Sequence, residues 1–167
     1  MEKLKAEVIR AEEYEASLSR LLKATVNEGA AIGFLPPMGT EEAASYWRAL
    51  PSGQNVILFA VMADGEAAGS VQLHLADKQN GLHRAEIAKL MTHPQHRRKG
   101  IGRLLMNKAE ERAREEGRSL LVLDTREGDP SNRLYQSLGY KEAGRIPNYA
   151  KSADGTLHAT VIYYKEL

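Results

Sequence analysis

The stretch Gln95-His96-Arg97-Arg98-Lys99-Gly100-Ile101-Gly102-Arg103 lies between a strand-like run, His83 to Thr92, and a helical stripe of Ile101, Leu104, Leu105, Ala109 and Ala113. Gly117 ends that helix, and Ser119 to Asp124 follows as a nearly continuous apolar run, as in a strand covered on both faces. The unit from His83 to Asp124 therefore predicts a right-handed parallel crossover. Within the turn, four cationic side chains and no acid occupy Arg97 to Arg103. Gly100 and Gly102 bracket the first helical residue and let the backbone approach a ligand closely. The open amides of a helix N-terminus make an anion site that a pyrophosphate would satisfy. A solvated basic turn would use the same residues. The stretch lacks both the Gly-Lys-Ser/Thr of a P-loop and the glycine spacing of a dinucleotide fingerprint.

Reading outward, Leu4 to Ile9 is strand-like, and a helix is predicted from about Ala11 to Glu28 on the spacing of Tyr14, Leu18, Leu21, Leu22 and Thr25. Gly29 to Gly39 reads as a loop. Thr40 is the expected N-cap of a second helix, which carries Tyr46, Trp47 and Leu50 and stops at Pro51. Asn55 to Met62 and Ala67 to Leu75 flank the hairpin signal Asp64-Gly65. After Asp124, Asp129-Pro130 reads as an N-cap with proline at the first helical position, and Gly139 marks that helix's end. Two strands, Tyr140 to Arg145 and Leu157 to Tyr164, flank a loop containing Asp154-Gly155. The order β-α-α-β-β-β-α-β-α-β-β predicts an α/β fold with a central mixed sheet and helices on both faces.

The 167 residues suit one domain over 1–167. Lys plus Arg is 23 against 22 for Asp plus Glu, a balance that argues against nucleic-acid or membrane-surface partners. The absence of cysteine excludes disulfides, thiolate metal ligation and a cysteine nucleophile. Met1 to Arg10 lacks the apolar core of a signal peptide, so a cytoplasmic protein is expected. His93 and His96 have ligand-like spacing, but Pro94 breaks the helix between them and no third ligand is near, so no metal is expected.

Arg97-x-x-Gly100-x-Gly102 resembles the acetyl-CoA pyrophosphate loop of the GCN5-related N-acetyltransferases (GNAT). Asn132-x-x-Tyr135-x-x-x-Gly139-Tyr140 is similar to that family's second signature, and the element order agrees over nearly the whole chain. Arg84-Ala85-Glu86-x-x-Lys89-Leu90-Met91, Leu123-Asp124-Thr125, Pro147-x-Tyr149, Asp154-Gly155-x-Leu157-His158 and Ile162-Tyr163 resemble, more closely, the tabtoxin-resistance branch of the family. The resemblance implies an acyltransferase that moves acetyl from acetyl-CoA directly to a small-molecule amine, with an amino-acid-like or β-lactam toxin or antibiotic as the preferred acceptor. Acetylation of a protein or peptide, and a non-catalytic CoA-binding regulatory module on the same fold, are the alternatives. A homodimer is compatible with these residues.

Acetyl transfer to an amine requires loss of an ammonium proton, stabilisation of an oxyanion and protonation of the leaving thiolate. Glu86 alternates with Ile87 on its strand and Asp124 ends an apolar one, so a parallel pairing aims both carboxylates at one cleft. On spacing alone, Glu86 is also an ordinary polar-face residue and Asp124 a turn cap. The resemblance makes Glu86 the general base and Asp124 the group that orients the acceptor. It makes Tyr135, which on periodicity reads as core, the general acid, and Asn132 a hydrogen-bonding partner of the pantetheine arm. It further implies that Leu90, Met91 and Thr92 offer backbone to the cofactor, that Arg97, Arg98, Lys99, Gly100, Ile101, Gly102 and Arg103 hold its pyrophosphate, and that the loop residue Tyr149 lies near the acceptor. His158, on a strand-like run near the same end, is a further candidate for substrate contact.

Overall fold

The computed structural model describes residues 3–51 and 54–167; Met1 and Glu2 of the leading segment lie outside them. Seven strands form one sheet in the order β1-β2-β3-β4-β5-β7-β6. They are β1 (Ala6–Ile9), β2 (Val56–Ala63), β3 (Glu66–Leu75), β4 (Arg84–Thr92), β5 (Leu120–Arg126), β6 (Lys141–Lys151) and β7 (Leu157–Glu166). Among the described residues only the β4–β5 pair is parallel, as the crossover predicts. Four α-helices complete the fold: α1 (Glu15–Asn27), α2 (Thr40–Ala49), α3 (Ile101–Glu115) and α4 (Ser131–Ser137).

Alternation along the strands divides the core between the two sheet faces. Ile57, Phe59, Val61, Val71, Leu73, Ala85, Ile87, Leu121 and Leu123 pack with Ile101, Leu105, Met106 and Ala109 of α3 and Tyr135 of α4. On the opposite face Leu58, Ala67 and Met91 pack with Leu18, Leu21, Leu22 and Val26 of α1 and Ala43 and Trp47 of α2. No helix among the described residues is long and apolar enough to cross a membrane.

Several boundaries differ from the sequence reading, each for a local reason. The first helix opens with a separate 3₁₀ turn, Ala11–Glu13, because Tyr14 at φ −131° interrupts the helical backbone. Gly39, not Thr40, is the N-cap of α2, and the Thr40 hydroxyl accepts from Lys23 Nζ instead. Pro130, not Asp129, takes the N-cap position of α4, since the Asp129 carboxylate is drawn back to Arg126 Nε at 2.9 Å. The strand expected to end at Arg145 runs on to Lys151, because pairing with β7 resumes at Ala150 after a register slip that begins at Ile146. The run His83 to Thr92 is not a plain strand either. Between Gln72↔Ala88 and Ser70↔Met91, the two residues Lys89 and Leu90 stand opposite Val71 alone, and Lys89 adopts φ +56°. This is a β-bulge, which bends a strand and sharpens its twist.

A close approach at Gly69 seats α3 on the sheet. A Cβ there would lie 2.6 Å from Ile101 Cγ2 and 2.9 Å from the Met91 carbonyl oxygen, which is backbone and cannot swing away. Gly69→Ala should therefore destabilise the protein by about 1–3 kcal/mol, the usual penalty for overpacking, as read from denaturant midpoints. Wild-type stability in this variant would mean that α3 can move off β3 freely.

Candidate active site

After Glu86, three residues before the bulge, β4 and β5 separate. Their parallel pairing covers only Arg84↔Leu120, Ala85↔Leu121 and Glu86↔Val122, whereas β5 stays paired with β7 through Arg126↔Thr160. Met91 and Thr92 therefore keep their antiparallel partners on β3, Leu90 stands in the bulge, and none of the three pairs with β5. A strand edge inside a sheet offers backbone donors and acceptors to an extended ligand.

The basic turn stands at the end of this gap. Arg98 (φ +62°) and Gly100 (φ +75°) both take left-handed backbone, and Gly100 caps α3 with no side chain on its first amides. Nothing lies within 4 Å of where a Gly100 Cβ would sit, so the approach to those amides is open. Gly102 is needed for another reason, since a Cβ on it would meet Leu134 Cδ2 of α4 at 3.1 Å. Three of the cations have neighbours: Arg97 faces Glu28 at 3.7 Å, Lys99 Nζ lies 3.3 Å from His96 Nδ1, and Arg103 donates to Ser137 Oγ at 2.8 Å. Arg98 has no ion-pair or side-chain hydrogen-bond partner among the described residues. An uncapped helix N-terminus, left-handed loop backbone and exposed cations together suit a pyrophosphate.

Glu86 and Asp124 fall on the same sheet face, because Glu86 pairs with Val122 and Asp124 is two residues further along β5. Glu86 is exposed, between the buried Ala85 and Ile87. Asp124 Oδ2 accepts from the Thr160 hydroxyl at 2.7 Å, which holds the carboxylate and leaves Oδ1 for another donor. Lys89, half-buried in the bulge, shares this surroundings. Burial pushes its ammonium below the ordinary lysine range, against the pull of the Asp124 and Glu86 charges. Its Nζ sits 5.9 Å from the Phe34 ring centroid.

Tyr135 is only 5% exposed and packs at ring-centroid distances of 5.9 Å from Tyr140 and 6.0 Å from Tyr163. Its ring is core, as periodicity suggests, yet its hydroxyl makes no hydrogen bond among the described residues. Burial, and then the Asp124 charge, raise its pKa above the ordinary phenol range, so it stays protonated near neutrality. Asn132 is committed inside the protein. Its Nδ2 donates to the Arg126 and Asp129 carbonyls, both at 2.9 Å, and its Oδ1 accepts from Tyr163 at 2.8 Å. Both donors that a pantetheine arm could use are spent on ordering the β5–α4 turn.

A cleft of about 430 Å³ opens beside Asp124's end of β5, with Gly29, Arg126, Asp129, Ser152, Asp154 and His158 among its walls. Arg126 joins three segments: Nε reaches Asp129, Nη1 reaches Ser152 Oγ at 3.1 Å and Nη2 reaches the Gly29 carbonyl at 3.3 Å. Ser152 Oγ accepts from Arg126 and also shares a hydrogen bond with His158 Nδ1. Tyr149 is on β6, not in a loop, is 56% exposed and is not one of the cleft's walls. His93 Nδ1 is used as a cap, accepting from the Gln95 amide. No cluster of three potential metal ligands occurs among the described residues.

Sequence reasoning missed Lys89 and Arg126. A third charged residue on β4 after Arg84 and Glu86, and an arginine three residues before Asp129-Pro130, were the available signals.

Comparison with known proteins agrees with this geometry. A model of the acetyltransferase (GNAT) family matches residues 18–140, well over half the chain. An uncharacterized N-acetyltransferase from the hisH–hisA intergenic region of Azospirillum brasilense is 34% identical over 104 residues, 61% of this chain and 62% of its own, so the match spans under two thirds of that relative. An acetyltransferase of the GNAT family from Streptococcus pneumoniae superposes with a TM-score of 0.82 at 19% identity, covering 99% of this chain and 100% of its own. The yncA structure from Salmonella typhimurium, with its cofactor acetyl-CoA, gives 0.80 at 19% identity, covering 99% and 95%. At such identities the structures show a shared fold, and the family match supplies the rest: this chain belongs to the GNAT family of acetyltransferases.

Proposed function

We propose that this chain transfers an acetyl group from acetyl-CoA directly to the amine of a small molecule. The observation that carries this reading is the gap between β4 and β5, opening at one end on the uncapped, basic start of α3 and at the other on Glu86 and Asp124. Acetyl-CoA bound along that gap supplies the thioester. The amides of Ile101, Gly102 and Arg103, with Arg97, Arg98 and Lys99, hold the pyrophosphate. The free edge of Leu90, Met91 and Thr92 pairs with the extended arm and sets an N–H against the carbonyl oxygen, where negative charge develops. Asn132 acts from behind, as a positioning residue for the β5–α4 turn.

On the acceptor side Asp124, held by Thr160, receives the ammonium through its remaining oxygen, and Glu86 takes the proton, directly or through water. The amine nitrogen then bonds to the acetyl carbon as the carbon–sulfur bond breaks; the departing sulfur takes a proton from Tyr135, whose phenolate is restored by the second proton that the nitrogen sheds as the amide forms. The Asp124 charge makes that donation harder by raising the Tyr135 pKa. An ammonium paired with Asp124 offsets this charge, so acceptor binding itself readies Tyr135. No covalent acetyl-enzyme is needed, in keeping with a chain that has no cysteine. The stretches shared with the tabtoxin-resistance branch favour an amino-acid-like or β-lactam toxin or antibiotic as acceptor.

Following thiol release from acetyl-CoA across a library of small amines, tabtoxinine-β-lactam included, tests the reaction. Catalysed release with at least one small amine is expected. Release only with peptides would move the protein to the peptide-modifying class, and tight acetyl-CoA binding with no release would make it a CoA-binding module.

Glu86→Gln should lower turnover about 10²–10⁴-fold, the span for removal of a general base, with acetyl-CoA affinity retained. Wild-type turnover in this variant would pass the role to Asp124 or to solvent. Tyr135→Phe keeps the ring in its core position and deletes a hydroxyl that holds no hydrogen bond, so its stability should equal wild type. Its turnover should fall steeply with acetyl-CoA and recover along a series of acetyl thioesters with increasingly acidic thiols. A uniform defect across that series, or none, excludes proton donation by Tyr135.

A further inference from the structure

A second pocket, of about 330 Å³, lies on the α1–α2 face of the sheet between β3, β4 and the end of α2, with Tyr46, Leu50, Gln72, His74, Ala88 and Lys89 in its walls. Two of these groups have donors to spare. Gln72, 1% exposed, donates through Nε2 to the Tyr46 oxygen at 2.7 Å, while its Oε1 lies 2.8 Å from His74 Nε2. The tyrosine oxygen is thereby an acceptor already, and its own proton is left for something else. Burial keeps that phenol protonated by raising its pKa. Lys89 is the second donor. It is half-buried at a strained backbone position, and no carboxylate lies within 4.0 Å of its Nζ among the described residues. Phe34 packs edge-on against Tyr46 at 5.3 Å and also faces Lys89, so one ring braces both donors.

We propose that this pocket holds a carboxylate of the acceptor, received by the Lys89 ammonium and the Tyr46 hydroxyl. The inference rests on the acetyltransferase reading above and names its substrate class: amines that also carry a carboxylate. One cation and one neutral donor match the two oxygens and single charge of a carboxylate. A phosphate dianion would bring a second charge toward Glu86 and Asp124 with nothing to offset it. The site thus presents carboxylates for an ammonium and an ammonium for a carboxylate, which is the charge pattern of a zwitterion. His74, kept neutral by burial and directly opposite Glu86 on the β3–β4 ladder, adds no competing cation.

The test uses L-α-amino acids and the ω-amino acids from glycine to 6-aminohexanoate, each beside its carboxamide, with O-phosphoethanolamine as the phosphate arm. Wild-type kcat/KM should favour the free acids by about 10- to 150-fold, the worth of a hydrogen bond to a charged group. In Lys89→Met that ratio should collapse toward one through KM, and in Tyr46→Phe it should fall less, by about 3- to 10-fold. Equal use of acids and carboxamides by the wild type overturns the proposal. So does a Lys89→Met defect of the same size for both, or a preference for O-phosphoethanolamine. If no amine in the panel releases thiol, the transfer reaction fails for these acceptors, and calorimetry decides the pocket separately. With CoA present, binding of N-acetyl-β-alanine but not its amide, lost in Lys89→Met, sustains the carboxylate site, and no difference between the two ligands removes it.

Discussion

At Lys89 the backbone turns left-handed, β4 carries one residue more than β3 opposite it, and the strand leaving this bulge no longer follows β5. A non-glycine residue at positive φ costs of order 1 kcal/mol or more, and such strain persists where surrounding structure overdetermines it. Here β3 supplies the constraint, keeping Met91 and Thr92 paired with Ser70 and Gly69 while β5 is pinned to β7 over seven residue pairs. The sheet cannot close the gap without breaking one ladder or the other. The free strand edge, the entry to α3 and the opening between two carboxylate-bearing strands all lie between these two ladders.

The same bulge joins the chemistry of the two sides. Lys89, Asp124, Glu86 and Tyr135 come from three elements, and their charges are felt across the gap: Asp124 raises the Tyr135 pKa and draws on Lys89. Each carboxylate thus has a cation near it but none in hydrogen-bonded contact, which leaves the first coordination position for a ligand. A direct Lys89–Asp124 salt bridge would be the simpler way to settle these charges in a half-buried place. Its absence among the described residues is understandable if binding, rather than folding, completes the pairing.

Much of the fold was legible because its elements obey local rules. Period-3.6 stripes gave α3, the Asp64-Gly65 turn gave the β2–β3 hairpin, and a doubly covered apolar run gave β5. The basic glycine turn was legible for a similar reason: backbone conformation, glycine and charge all act within nine consecutive residues. The bulge was not, because Lys89 carries no glycine to announce its positive φ; the mismatch in length between two strands decides it. Asp129 shows the limit of local capping rules. Its carboxylate had a choice between free helix amides and a largely buried guanidinium, and the charged partner won. Asn132 was read as facing a ligand because nothing nearby in sequence reveals that Tyr163, thirty-one residues on, takes its oxygen.

The acceptor end was least legible because it is assembled from pieces distant in the chain. Arg126 alone ties Gly29 after α1, Asp129 before α4 and Ser152 between β6 and β7. Exposed pairs of this kind contribute little, but Arg126 and Asp129 are each about three-quarters buried, with side-chain exposures of 23% and 25%. A guanidinium held that far from water needs its partners, so moving any one segment leaves the donor that faced it unmet. Arg126 thus joins the α1–α2 loop, the β5–α4 turn and the β6–β7 turn at one guanidinium. Cofactor recognition can stay with one short turn while acceptor recognition is spread over such a wall. Under the proposed function, that division would let a single backbone scaffold take one donor while the amine is chosen by side chains that no contiguous motif records.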